Sequence, residues 1–118
     1  MDTNLLLRDG TSDLSDDESL TAVLVGPMNR PMVLHVLVPE VSSGDDIDVE
    51  LEFNDDGSTQ IDNMNMANIT AAGLYSIPFF TWHKYLLVKL ETSNASDDHG
   101  AVKVWIAPAH RYDTPYNA

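Results

Sequence analysis

From residue 46 the chain alternates almost without a break. Ile47, Val49, Leu51 and Phe53 are separated by Asp48, Glu50 and Glu52, with Asp46 before them and Asn54 after. A strand points successive side chains to opposite faces, so this run buries an apolar row and turns an almost wholly acidic row outward. Wound as a helix, the same residues would scatter both kinds around the circumference and leave no face fit for a core. The run stops at Asn54-Asp55-Asp56-Gly57, where Asp-Gly supplies the turn chemistry of a hairpin. The pattern predicts a half-buried strand of an antiparallel sheet.

Other segments read the same way with less regularity. Asn4–Arg8 is a short apolar run stopped by Asp9-Gly10, which predicts an edge strand before a turn. Thr11–Glu18 is polar and acidic, a surface loop; Ser15-Asp16-Asp17-Glu18 has the form of a capping box. Ser19–Val25 is short, contains Thr21, Val23 and Val25, and is ended by Gly26-Pro27, so a strand is expected there, with a short helix as the alternative. Met32–Val38 is apolar on both faces: Met32, Leu34, Val36 and Val38 on one, Val33, His35 and Leu37 on the other. Such a strand should be covered on both sides, by a second sheet and by a loop or another subunit.

After Gly57, Ile61, Met64, Met66 and Ile69 are scattered among polar residues, which suggests a strand near Thr59–Asp62 and then a loop. Pro78 makes Leu74–Phe80 an edge strand. Tyr85–Glu91 and Ala101–Ala107 alternate cleanly, and Pro108 closes the latter; the tail His110–Ala118 has no periodicity. Seven or eight short strands separated by turn signals predict an all-β fold, an antiparallel β-sandwich of immunoglobulin-like or jelly-roll topology. At 118 residues it is expected as a single domain, residues 1–118, with extended N- and C-terminal arms.

Charge narrows the range of partners. Of the net −13, residues 1–56 carry −12 and residues 57–118 only −1. Nucleic acid and anionic membrane surfaces both require a basic footprint, so neither is an expected partner. There are no cysteines, which excludes disulfides and thiolate chemistry. No apolar window is long enough to span a membrane, and Met1–Gly10 has an acid where a signal peptide needs positive charge and an apolar run of only Leu5–Leu7.

No catalytic constellation stands out, and no cofactor or metal is expected. His35 sits in an apolar strand and reads as a hydrogen-bonded core or interface histidine. His83, His99 and His110 lack metal-ligand spacing. Glu52, Asn54, Asp56 and Gly57 imitate the opening of an EF-hand loop, but the closing glutamate would fall at Asn63. Acids at Asp9, Asp13, Asp16, Asp55 and Asp56 read as solvated turn residues, with a looser cation site as the alternative. Trp82, Trp105, Tyr112 and Tyr116 could stack on sugars; the plainer expectation is core packing for the tryptophans and subunit contact for the tyrosines.

In order of features the chain resembles a group of small β-sandwich proteins of tailed bacteriophages that decorate the capsid. The resemblance rests on Leu7–Thr11, the small-residue strand Thr21–Gly26, and Val38-Pro39. It continues through Asp55–Ser58, Ala72–Phe80, Lys84–Lys89 and Trp105, covering roughly residues 5–107. It departs in having fewer basic residues before the final hairpin and a more acidic central strand. The resemblance implies a non-enzymatic virion protein made in the host cytoplasm and bound to the capsid exterior. Its partners would be the major capsid protein and further copies of itself, often as a trimer at local threefold axes. The contact residues expected on this view are Leu5, Leu6 and Arg8 near one terminus, Met64 and Met66 in the loop, and Arg111, Tyr112 and Tyr116 in the tail. The Asp46–Glu52 face would point outward. A carbohydrate-binding sandwich, or a tail or connector component, is the alternative.

Overall fold

A computed structural model of the chain describes residues 5–25, 31–42, 44–57, 60, 62–93 and 99–108. Its strands are β1 (Leu5–Asp9), β2 (Glu18–Ser19), β3 (Val23–Leu24), β4 (Met32–Val38), β5 (Ile47–Asn54), β6 (Asp62–Ile69), β7 (Gly73–Phe79), β8 (Tyr85–Thr92) and β9 (Lys103–Pro108). All pairings are antiparallel. Sheet A has the order β1-β9-β4-β7 and sheet B the order β2-β8-β5-β6, with β3 also on β8. The fold is an antiparallel β-sandwich.

The topology decides between the two expected kinds of sandwich. β2 and β3 both pair with β8, Glu18 opposite Leu90 and Val23 opposite Leu86, so they are two pieces of one interrupted edge strand. Counted as one, they leave eight strands among the described residues, and of the connections between these β5–β6 is the one that stays within a sheet. Every other connection crosses from one sheet to the other. That double Greek key is the jelly roll; an immunoglobulin-type order, with its in-sheet hairpins, does not fit.

The core lies between the sheets. Leu34, Val36, Val38, Val104 and Ile106 face inward from sheet A, and Ile47, Val49, Leu51, Phe53, Leu86, Val88 and Leu90 from sheet B. The alternation at 47–53 holds as expected: each apolar residue is buried, and each acid between is not. At the end of β5 the Asn54 side-chain oxygen accepts the Gly57 N–H at 2.6 Å, and Gly57 takes φ 91°, a left-handed conformation that glycine adopts without a Cβ clash.

The expected strand near Thr59–Asp62 is displaced. Of that stretch Gln60 lies outside any strand and Asp62 opens β6, which continues through Ile69 where a loop was expected. The cause is a bulge. Pairing with β5 shifts register between Ala67 opposite Val49 and Asn65 opposite Glu50, leaving Met66 as the extra residue. One added residue breaks the two-residue period that would otherwise mark the strand. The Ser15–Glu18 capping box starts no helix; Glu18 enters β2.

Candidate docking surface

Arg8 closes the open side of the sandwich. A second bulge, between Leu6 and Arg8 in β1, turns both Leu7 and Arg8 toward the interior. Arg8 Nε and Nη2 donate to the two carboxylate oxygens of Glu18, each at 3.0 Å. Nη1 donates to the carbonyls of Ser12 and Val102, both at 2.8 Å, and Nη2 to that of Asp13 at 3.2 Å. The fork thus ties the edge of sheet A to the edge of sheet B and holds the connection between them. Arg8 was expected at a partner contact; its side chain is 6% exposed and its donors are engaged within the chain.

The outward side of sheet A is nearly uncharged. Paired residues in a sheet share a face, so the registers place three outward rows across β1, β9, β4 and β7. The first is Asp9, Lys103, Leu37 and Leu74; the second Leu6, Trp105, His35 and Ser76; the third Ala107, Val33 and Pro78, of which Val33 is itself covered. Leu6 is 55% exposed and Leu74 57%. His35 stacks on Trp105 with ring centroids 5.0 Å apart, its Nδ1 2.8 Å from Ser76 Oγ, and Lys103 Nζ lies 5.3 Å from the Trp105 centroid. His35 and Trp105 are therefore outward, half-buried residues, and Trp105 is not the core tryptophan expected. Asp9 is held below the usual carboxylate range by hydrogen bonds from the Thr11 hydroxyl and N–H.

The outward side of sheet B is the opposite. β5 and β8 turn Asp48, Glu50, Glu52 and Glu91 outward against Lys89 alone. Lys89 Nζ sits 3.3 Å from Glu52 and 4.0 Å from Glu91, and its pKa is raised, first by the Glu52 hydrogen bond and then by that carboxylate's charge. The remaining acids are held by neutral donors. Asn68 Nδ2 donates to Asp46 at 3.1 Å and to Asp48 at 2.6 Å, and Asn63 donates to Glu50. Asp46 is lowered by Asn68 and then by Ser93, whose hydroxyl donates at 2.8 Å. This is the physical sense of the alternating asparagines of β6: amide donors fix the carboxylates without cancelling their charge.

A third feature lies at the β7–β8 corner. Trp82 is 66% exposed and meets Phe80 edge-on, centroids 5.1 Å apart at 89°, so it too is outside the core. The loop beneath is pinned. Thr81 Oγ1 accepts the His83 N–H at 3.0 Å, Asp55 Oδ1 accepts the Lys84 N–H at 3.0 Å, and the Val25 N–H donates to the Lys84 carbonyl at 2.8 Å. His83 Nδ1 lies 3.2 Å from Asp55 Oδ2. Asp55 is lowered chiefly by the Lys84 N–H, then by the His83 contact.

Of the other expected contact residues, Leu5 lies in β1 and Leu6 faces outward beside Trp105. Met64 is exposed on the edge strand β6, while Met66, in its bulge, packs against the core. Arg111, Tyr112 and Tyr116, with both expected arms, lie outside the described residues. Sequence reading missed Leu37, Leu74, His35, Phe80 and Pro78 as one surface; its signal was the double apolar face of Met32–Val38. Open hollows among the described residues include one of about 380 Å³ over the β6 bulge and one of about 420 Å³ beside the Arg8–Glu18 pair. Among the described residues no three His, Asp or Glu side chains gather as a metal-holding group. No family model matches the chain, and no curated protein matches it.

Proposed function

We propose that this protein is a capsid decoration protein. It is a non-enzymatic virion component that lies with the outward side of sheet A against the shell formed by the major capsid protein, and turns sheet B to solvent. One observation carries the reading: a thin sandwich, 22 Å in its shortest dimension, has one nearly uncharged apolar broad side and one acidic broad side. A chain of net charge −13 that leaves one broad side almost free of charge has a surface suited to lying against another protein. The resemblance to phage decoration proteins supplies the partner.

Size favours assembly over a simple pair. Four strands of about six residues present on the order of 400 Å² per copy, about half of what one partner contributes to a standard stable interface. Such a patch holds when several copies are tied together, because each further contact becomes intramolecular. A homotrimer docking on a local threefold axis meets that condition. Nucleic acid and membrane play no part in this scheme.

The test is co-sedimentation with empty capsid shells of the phage that encodes the chain. Saturable pelleting is expected for the wild type and for Asp48→Asn/Glu91→Gln, and none for Leu37→Asp/Leu74→Asp. Wild-type protein that stays in the supernatant, or a Leu37→Asp/Leu74→Asp variant that pellets normally, defeats the reading.

A further inference from the structure

Phe80 follows β7 directly and falls, by strand alternation, on the same side as Leu74, Ser76 and Pro78. Phe79, one residue earlier, is buried in the core. The aromatic pair Phe80–Trp82 therefore extends the apolar side of sheet A along its β7 rim. We infer that this corner anchors the docking surface: Trp82 enters an apolar pocket on the capsid protein, with a basic group on the pocket's rim facing Asp55. The inference rests on the docking reading above and adds to it where affinity is concentrated and what chemistry the partner presents.

Two properties of the loop support an anchor. The first is preorganisation. Residues 80–84 are held by the Thr81 hydroxyl, by both oxygens of Asp55 and by the Val25 N–H, and His83 stacks on the core residue Phe53 with centroids 6.3 Å apart. An exposed indole on a fixed loop binds with little ordering cost, and buried tryptophans dominate interface energetics. The second is charge. Asp55, its pKa lowered by the bonds from the Lys84 N–H and His83 that also fix its position, sets a carboxylate of fixed direction at the base of the loop that carries the indole.

A sugar is the other ligand an exposed tryptophan suggests. Sugar sites combine an open ring face with polar groups directed at hydroxyls. Here the polar groups around the loop are bonded to the loop itself, and Phe80 abuts Trp82, so a protein pocket is the better fit.

Titration of capsid shells with wild type, Trp82→Ala, Trp82→Phe and Leu24→Ala tests this. Leu24 is a fair control because it is 63% exposed but pairs with Tyr85 on sheet B. The expected result is binding about thirtyfold weaker for Trp82→Ala, an intermediate loss for Trp82→Phe, and no change for Leu24→Ala. Wild-type binding with Trp82→Ala within about twofold of it overturns the anchor and leaves the docking reading standing. Absence of wild-type binding overturns both. Quenching or shift of Trp82 emission by host-surface oligosaccharides, abolished in Trp82→Ala, together with unchanged shell binding, assigns the corner to glycans and overturns the anchor.

Discussion

Arg8 is the one buried Lys or Arg of the described residues, and its surroundings show why it is not replaceable by another base. A planar fork is needed to meet both oxygens of Glu18 and three carbonyls at once; lysine has neither the geometry nor the donors. Arg8→Ala should destabilise the fold by about 3 kcal/mol in urea unfolding, the low end for a broken buried pair, because the Glu18 side chain is 37% exposed and partly rehydrates. Arg8→Lys should recover less than half of that loss. Asp55 gives a prediction of a different kind. Its folded pKa lies below its unfolded value, so the native state binds fewer protons and gains stability as pH rises through the carboxylate range. That gain is present above the unfolded value of 3.8 and is lost as pH falls through the depressed one. In acid titrations followed by circular dichroism, Asp55→Asn should show a shallower fall in stability below about pH 4 than wild type. An unchanged acid limb would mean that Asp55 contributes nothing to it.

Strands were legible in the sequence where a sheet buries one face and wets the other. β5, β8 and β9 meet that condition, and their inward rows, such as Leu86, Val88 and Leu90, are the ones alternation selects. β6 was not legible, because the bulge at Met66 shifts the period by one residue in mid-strand. The edge formed by β2 and β3 is too fragmentary to leave a pattern; it pairs at Glu18–Ser19 and again at Val23–Leu24. β4 carried half the answer. Its two apolar faces announced a second covering, but only register shows that Leu37 and His35 line up with Leu74 and Trp105 as one surface. The Arg8–Glu18 pair had no local signal, since it joins residues ten apart on different sheets. The same contrast between central and edge strands sets mutational costs. Leu51→Ala, fully buried on β5, should cost about 3 kcal/mol, whereas Met64→Ala on the exposed edge should cost well under 1 kcal/mol. Equal losses in urea unfolding would show that the β6 edge is covered by something beyond the sandwich.

At the scale of the whole molecule, the two broad sides face different environments by construction. Sheet B fixes its carboxylates with the amides of β6, a surface that stays hydrated and repels other acidic copies. Sheet A sets Leu6, Leu37 and Leu74 in the open around a His35–Trp105 stack, with Asp9 and Lys103 confined to one row. A protein docked through sheet A should therefore change its solvent accessibility on one side only. Hydroxyl-radical footprinting of the shell-bound protein should protect Leu6, Leu37, Leu74 and Trp82 severalfold, while carbodiimide labelling of Asp48, Glu50 and Glu91 stays as in the free protein. Reversed protection, with the carboxylates shielded and the leucines unchanged, would require the acidic side to meet a basic shell surface and would turn the molecule over. Protection on neither side, in a sample that pellets with shells, would place the contact outside both sheets. The three outcomes separate because the two sheets share no outward residue, so the two labels read side by side report the orientation directly.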